Sequence, residues 1–170
     1  MTTTKPHTPL KIPEGKARDW SIVHSTYPPD HEFQTASFRC QMFGGQRNKT
    51  VSWPHETTWH RLQEYGGTWM SDLPCEQSQA RACIKGMKGR VLVGGLGIGL
   101  AATLLSKSRT VKEITVVEVQ QDVLDLVRPY TRHPKIVMVK DDLFAYLKAL
   151  PDNAFDYALY DIWQSDGEDT

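Results

Sequence analysis

The chain has 170 residues, which is enough for one folded domain with a small appendage. Its 20 basic and 20 acidic residues cancel, so bulk charge gives no indication of a nucleic-acid partner. No apolar run approaches the roughly 18 residues that would cross a bilayer, and no membrane association is predicted. A small-molecule or protein substrate is therefore expected.

The cysteines and the N-terminus indicate the compartment. Cys40, Cys75 and Cys83 are odd in number and form no CxxC pair, so neither a disulfide framework nor a zinc site is predicted. Met1 to Pro13 contain no apolar stretch typical of a secretory signal. We therefore expect a cytoplasmic protein without a metal site.

The first part of the chain is rich in aromatic, Thr and turn residues. Residues 1–15 are predicted to be a flexible arm and residues 16–73 a β-hairpin appendage. The predicted strands are Trp20 to Thr26, Ser37 to Phe43, Thr57 to Leu62 and Thr68 to Met70. Between the last two, Glu64 to Gly67 has the composition of a turn in which the glycines supply positive φ.

A helix is predicted from Cys75 to Met87, with Asp72 as its cap and Pro74 in its first turn. An apolar face is expected from the spacing of four residues, Ala80, Cys83, Ile84 and Met87.

The remainder of residues 74–170 alternates apolar strands with helices. The predicted strands are Arg90 to Val93, Ile114 to Val119, Lys135 to Val139 and Phe155 to Tyr160; the helices between them are Leu100 to Ser106, Asp122 to Val127 and Leu143 to Leu150. This pattern predicts an α/β fold with a Rossmann-like, doubly wound, mostly parallel sheet. Only Trp163 to Thr170 follow the fourth strand, so we expect a fragment of a longer protein, or a sheet edge that associates with another copy.

The segment from Val91 to Leu100 carries the strongest functional signal. It follows a strand, opens a helix, and contains four glycines within six residues: Gly94, Gly95, Gly97 and Gly99. Glycines let a backbone pass close to a ligand. Their spacing fits both GxGxG, as in methyltransferases, and GxGxxA, as in dinucleotide-binding proteins.

Acidic residues end the next three strands. Glu118, followed by Val119, lies where a carboxylate can accept hydrogen bonds from ribose hydroxyls. Asp142, followed by Leu143, can accept a hydrogen bond from an adenine amino group or simply cap a helix. Asp161 can bind an ammonium group or orient a substrate, and Trp163 can stack on a flat group or pack in the core.

In order and spacing, Gly94 to Gly99, Glu118, Asp142 and Asp161 resemble the successive motifs of class I S-adenosylmethionine-dependent methyltransferases. The resemblance covers about Lys88 to Gln164. It implies that the glycines approach the methionine part of S-adenosylmethionine and that Glu118 holds its ribose. It also implies that Asp142 and Leu143 meet the adenine and that Asp161 lines the reaction site.

Spermidine synthases, which share this fold, provide a narrower resemblance. They too have a small β domain before the sheet, a double glycine in the first motif, and a Gly-Asp-x-Phe segment that is similar to Asp141 to Phe144. They differ in carrying Asp at the positions of Ile98 and Gln164, and the second of these helps deprotonate the attacking amine.

The main expectation is therefore a methyltransferase-like protein that uses S-adenosylmethionine, with Asp161 as base and His60 and Tyr65 as weaker candidates. Three alternatives remain open: an aminopropyltransferase that uses decarboxylated S-adenosylmethionine, a non-catalytic module that binds the nucleoside or assembles with partners, and a nicotinamide oxidoreductase. The segment His55 to His60 is not predicted to bind zinc, because its histidines are five residues apart.

Overall fold

The computed structural model describes residues 7–36 and 47–162. The first part forms an antiparallel four-stranded sheet, here called the N-terminal sheet. In their order across the sheet, its strands are β1 (Gly15–Ala17), β2 (Trp20–Tyr27), β5 (Thr57–Glu64) and β6 (Gly67–Ser71). A small sheet that the sequence did not predict pairs β3 (Phe33–Gln34) with β4 (Thr50–Val51). The strand predicted over Ser37 to Phe43 lies outside the described residues.

The hairpin between β5 and β6 turns where the sequence predicts it, at Glu64 to Gly67, but the positive φ angles are not both supplied by glycine. Glu64 pairs with Gly67, which leaves a two-residue loop. Tyr65 and Gly66 have φ of 50° and 84°, as a type I′ turn requires at both central positions. Gly67 is a strand residue, so only one of the two glycines supplies the positive φ.

Helix α1 (Pro74–Cys83) is shorter than predicted and begins differently. Pro74 is in its first turn as expected, but Leu73 is the N-cap residue and Asp72 does not cap the helix. The fully buried Asp72 carboxylate instead accepts hydrogen bonds from the backbone N–H groups of His60 and Leu10. Cys83 is exposed and does not share the apolar face expected of it.

The second part confirms the predicted fold class. In chain order it contains β7 (Gly89–Gly94), α2 (Leu100–Ser106), β8 (Val111–Glu118), α3 (Gln121–Val127), β9 (Ile136–Lys140), α4 (Leu143–Lys148) and β10 (Tyr157–Tyr160). The four strands form a parallel sheet with the order β10-β7-β8-β9. This is an α/β Rossmann-like arrangement with a β-rich part before it.

The two central strands of this sheet, β7 and β8, are buried on both faces over most of their length, which explains why they are largely apolar. On β7, Val91 and Val93 belong to the main core, whereas Leu92 packs on the opposite face with Leu143 of α4. Trp20 and Leu62 of the N-terminal sheet belong to the same main core, so the two parts pack against each other. The boundaries predicted at residues 15 and 73 stay predictions.

The order in which the chain adds strands to the sheet changes side between β7 and β10. From β7 it proceeds through β8 to the edge strand β9, and then α4 returns it to β10 on the other side of β7. In open α/β sheets, a ligand crevice forms beyond the carboxyl ends of the strands at such a switch point.

Two further features concern surfaces. Strand β10 pairs with β7 alone among the described strands, and its Tyr157 and Tyr160 are exposed. Association with another copy through this edge stays a prediction. Within residues 7–36 and 47–162, we find no helix with the length and apolar character needed to span a bilayer.

Candidate functional site

A cavity of about 230 Å³ lies beyond the carboxyl ends of the parallel strands, with the N-terminal sheet as its opposite wall. Small-molecule pockets typically enclose roughly 300 to 1,000 Å³. A ligand of nucleoside size would therefore fill this cavity and extend into its open mouth. Seven of the nine predicted site residues line it: Gly95, Gly97, Glu118, Val119, Asp142, Leu143 and Asp161.

The glycine loop is shaped by the protein's own packing. Gly95 has φ 90°, and a Cβ there would overlap the backbone carbonyl of Asp161. Gly97 has φ 50°, and a Cβ there would overlap the sulfur of Met70, which accepts a hydrogen bond from the Ile98 N–H at 3.1 Å. The loop thus needs glycine for its dihedral angles and for its contacts with β6 and the end of β10.

The other two predicted glycines lie outside the lining of the cavity. Gly94 is the last residue of β7 and packs against the side chain of Leu143. Gly99 is the N-cap residue of α2 with φ 80°, and its Cα faces Thr131. Both glycines shape the loop without facing the cavity.

Glu118 occupies the floor of the cavity and is only 7% exposed. Its Oε2 accepts a hydrogen bond from the Leu96 N–H at 2.8 Å, and its Oε1 accepts one from the Gln120 N–H at 2.7 Å. These bonds hold the Glu118 carboxylate between the glycine loop and the residues that follow β8. Each oxygen retains one lone pair, so the carboxylate can still accept a pair of ligand hydroxyls.

Asp142 both caps a helix and lines the cavity. Its Oδ1 accepts the Ala145 N–H at 2.8 Å, which is the capping role expected of an Asp at this position. Asp141 lines the cavity as well, and its carboxylate accepts the Asp142 N–H at 2.8 Å. Beside them, the ring of Phe144 is 59% exposed and forms part of the rim.

Asp161 lies at the switch point between β7 and β10. Its N–H donates to the Gly94 carbonyl at 2.8 Å, which anchors the residue beside the glycine loop. Asp161 is exposed to solvent, but the surrounding cavity wall excludes part of the water from its carboxyl group. This desolvation raises the pKa of the Asp161 carboxyl above its usual value and makes it a better proton acceptor than an ordinary aspartate.

The wall supplied by the N-terminal sheet was missed by sequence reasoning. It consists of Trp20, Leu62, Glu64, Trp69 and Met70. One signal was available: Leu62 and Glu64 lie two residues apart in a strand and therefore share a face. A charged residue on the face that carries the buried Leu62 indicates a polar feature inside the fold.

The two weaker base candidates lie elsewhere. His60 is buried, and its Nδ1 lies 2.8 Å from the Asp72 carboxylate. Tyr65 is 80% exposed at the hairpin turn, where its hydroxyl donates to Asp19. Neither residue lines the cavity. No group of three or more possible metal-ligating side chains occurs within the described ranges 7–36 and 47–162.

Among the described residues, the charged side chains that line the cavity are all acidic. Its lining includes five carboxylates, those of Glu64, Glu118, Asp141, Asp142 and Asp161. No Lys, Arg or His is part of this lining among the residues that the structure describes. Such a site attracts cations and disfavours phosphate groups.

A second depression, of about 580 Å³, lies between the end of α3 and β9 and is lined by Arg128, Arg132 and His133, among others. It is larger but shallower, and it contains none of the predicted site residues.

Comparison with solved structures shows the same fold in two spermidine synthases. The enzyme from Thermotoga maritima matches with a TM-score of 0.53 and 15% identity over 80% of this chain and 56% of the enzyme. A spermidine synthase in complex with the transition-state analogue AdoDATO matches with a TM-score of 0.52 and 15% identity over 82% of this chain and 55% of the enzyme. The chain thus spans just over half the length of these enzymes. Comparison with curated proteins gave no match.

A family model identifies the family from the sequence itself. The model of the spermine/spermidine synthase domain matches residues 79–169, which is more than half of the chain. The match includes the glycine loop and the acidic residues at the ends of β8, β9 and β10. The resemblance to spermidine synthases expected from the sequence is therefore confirmed, and the chain belongs to the spermine/spermidine synthase family.

Proposed function

We propose that this protein binds decarboxylated S-adenosylmethionine and is an aminopropyltransferase that acts on a small amine. The observation that carries the proposal is the acidic cavity without a cationic side chain in its described lining. Membership of the spermine/spermidine synthase family supports a transferase and favours this alternative over the methyl transfer that the sequence motifs alone favoured.

The charge of the cavity distinguishes between the possible ligands. S-adenosylmethionine carries a carboxylate, which would face five protein carboxylates without an Arg or Lys from the lining to pair with it. Decarboxylated S-adenosylmethionine lacks that group and carries two positive charges, on the sulfonium and the ammonium. NAD would bring a pyrophosphate into the same negative field. The cavity thus favours the decarboxylated donor over both other ligands.

The residues at the strand ends fit the nucleoside part of this donor. The free lone pairs of Glu118 are suited to the ribose hydroxyls, and Asp142 retains Oδ2 for the adenine amino group. Val119, Leu143 and Phe144 offer apolar surface beside these acids for the adenine ring. Gly95 and Gly97 bring the main chain to the cavity without side chains in the way.

The transfer itself requires a neutral amine near the donor. When bound, the sulfonium makes the adjacent aminopropyl carbon electrophilic, so that a C–N bond forms as the C–S bond breaks and methylthioadenosine leaves. The position of Asp161 in the cavity lining at the switch point supports a role in holding the incoming ammonium and accepting its proton. Gln164, at the position where spermidine synthases carry a second Asp, lies outside the described residues.

A non-catalytic nucleoside-binding module is the second candidate, and one observation favours it. At the position where spermidine synthases carry Asp in the glycine loop, this chain has Ile98, which is 1% exposed and does not line the cavity. Such a module would bind the nucleoside without turning it over.

Calorimetry with four ligands tests the proposal: decarboxylated S-adenosylmethionine, S-adenosylmethionine, methylthioadenosine and NAD. We expect the decarboxylated donor to bind at least about tenfold more tightly than S-adenosylmethionine, equivalent to about 1.4 kcal/mol, and NAD not to bind. Release of methylthioadenosine in the presence of 1,4-diaminobutane would demonstrate turnover. Equal or tighter binding of S-adenosylmethionine would contradict the proposal, and tight binding without turnover would support the module.

The pH dependence of amine binding provides a test of Asp161. Only the ionised carboxylate can hold an ammonium group, and the raised pKa of Asp161 means that this form is lost at a higher pH than for an ordinary aspartate. Affinity for 1,4-diaminobutane should therefore fall as the pH is lowered from about 7 to about 4. Asp161→Asn should bind the diamine more weakly at pH 7 and should lack this part of the pH dependence. Identical pH profiles for the two proteins would rule out this role.

A further inference from the structure

We infer that Glu64 and Trp69 of the N-terminal sheet form a second, ammonium-binding subsite that selects the amine acceptor. The inference rests on the proposed function, because it assigns the wall opposite the nucleoside-binding residues to the other substrate. Both residues line the cavity, and neither lies within the segment that the family model matches.

The position of Glu64 is set by the register of the sheet. It pairs with Trp20 of β2 on one side and with Gly67 of β6 on the other. Leu62, two residues earlier on the same face, pairs with Met70, whose sulfur contacts the glycine loop. This contact brings the face of the N-terminal sheet that carries Glu64 over the open side of the cavity.

The carboxylate of Glu64 is held but not neutralised. Its Oε2 accepts a hydrogen bond from Trp69 Nε1 at 3.0 Å. No cationic side chain among the described residues forms an ion pair with Glu64. A fixed carboxylate with a free oxygen in a cavity without protein cations is suited to a charged donor from a ligand.

The neighbouring rings strengthen this preference. The centroids of the Trp20 and Trp69 rings are 5.3 Å apart at an interplanar angle of 46°, and both rings contribute to the cavity wall. Indole faces attract ammonium groups, and most strongly where water is excluded. A carboxylate beside indoles therefore recognises a primary or secondary ammonium group, such as one end of a diamine, and discriminates against alcohols of the same length.

Calorimetry with 1,4-diaminobutane in the presence of saturating methylthioadenosine tests the subsite, with 1,4-butanediol as the neutral ligand. Glu64→Gln retains the shape of the side chain and an acceptor for Trp69 but removes the charge. We expect it to weaken diamine binding about tenfold or more and to leave methylthioadenosine affinity within about twofold. Trp69→Leu should weaken diamine binding about threefold or more. Glu56→Gln, at an exposed position before β5, is the matched control and should behave as wild type.

The outcomes separate this inference from the proposed function. If Glu64→Gln binds methylthioadenosine and binds the diamine as tightly as wild type, the subsite alone is overturned. The same holds if the wild-type protein binds methylthioadenosine but does not bind the diamine. Glu64-dependent diamine binding without any nucleoside binding would support the subsite and contradict the proposed function. If Glu64→Gln loses affinity for methylthioadenosine and for the diamine to the same extent, Glu64 has a structural role, and the subsite is also overturned.

Discussion

Gly95→Ala is expected to destabilise the protein by about 3 kcal/mol or more, a large share of the roughly 5 to 15 kcal/mol that stabilise a typical domain. Two costs combine at this position. Alanine is strained at φ 90°, and its Cβ would overlap the carbonyl oxygen of Asp161. Because that oxygen belongs to the main chain, it can move only if the end of β10 moves with it. Urea denaturation followed by circular dichroism measures the loss.

Gly66→Ala is the matched control for this variant. Gly66 has a similar φ of 84°, but a Cβ there would meet nothing within 4 Å. Its cost is therefore backbone strain alone, about 1 kcal/mol. The difference between the two variants isolates the contact between the glycine loop and the end of β10. Equal losses would show that this contact contributes no stability.

The same comparison explains how far the glycine motif could be interpreted from sequence. Four glycines between a strand and a helix predict a loop at the carboxyl end of a sheet, and that prediction is confirmed by the fold. The sequence could not show that Gly97 lies under Met70, because that contact joins residues 27 positions apart in the chain. Nor could it show that Gly94 and Gly99 face Leu143 and Thr131 rather than the cavity.

The parallel sheet was the most predictable part because its signals are local. Buried parallel strands are apolar on both faces, and a helix that follows a glycine turn begins where the glycines end. The predicted bounds of α2, Leu100 to Ser106, agree with the structure for this reason. The strand ends placed Glu118, Asp142 and Asp161 at one edge of the sheet, and all three line the cavity.

The N-terminal wall was not predictable in the same way. Trp69 and Glu64 approach the cavity only because the N-terminal sheet packs on the main core, and no short-range pattern specifies that docking. Asp72 illustrates the same difficulty: an aspartate before Pro74 is typical of a helix cap, but long-range contacts with His60 and Leu10 take its carboxylate away from the helix. Tertiary contacts thus override a strong local preference.

Glu118→Gln is expected to reduce methylthioadenosine affinity about 100-fold or more, because the amide offers one acceptor where the carboxylate offers two. The amide NH2 would also face either the Leu96 or the Gln120 N–H, so some stability is lost, about 1.5 to 3 kcal/mol. Calorimetry measures the affinity, and thermal unfolding confirms that the variant is folded at the temperature used. Glu113→Gln, an exposed position on the same strand, should change neither quantity.

A weaker affinity alone would not distinguish a ribose contact from a loop that has merely loosened. The 2′-deoxy analogue of methylthioadenosine separates the two explanations. If Glu118 accepts a hydrogen bond from the 2′-hydroxyl, wild type should bind the analogue more weakly than methylthioadenosine. Glu118→Gln should bind both ligands almost equally, because the variant lacks the carboxylate that accepts this hydrogen bond. A loosened loop would lower both affinities and preserve their ratio. Undiminished discrimination in the variant would therefore remove Glu118 from the ribose site, and with it the strongest link between the end of β8 and the nucleoside.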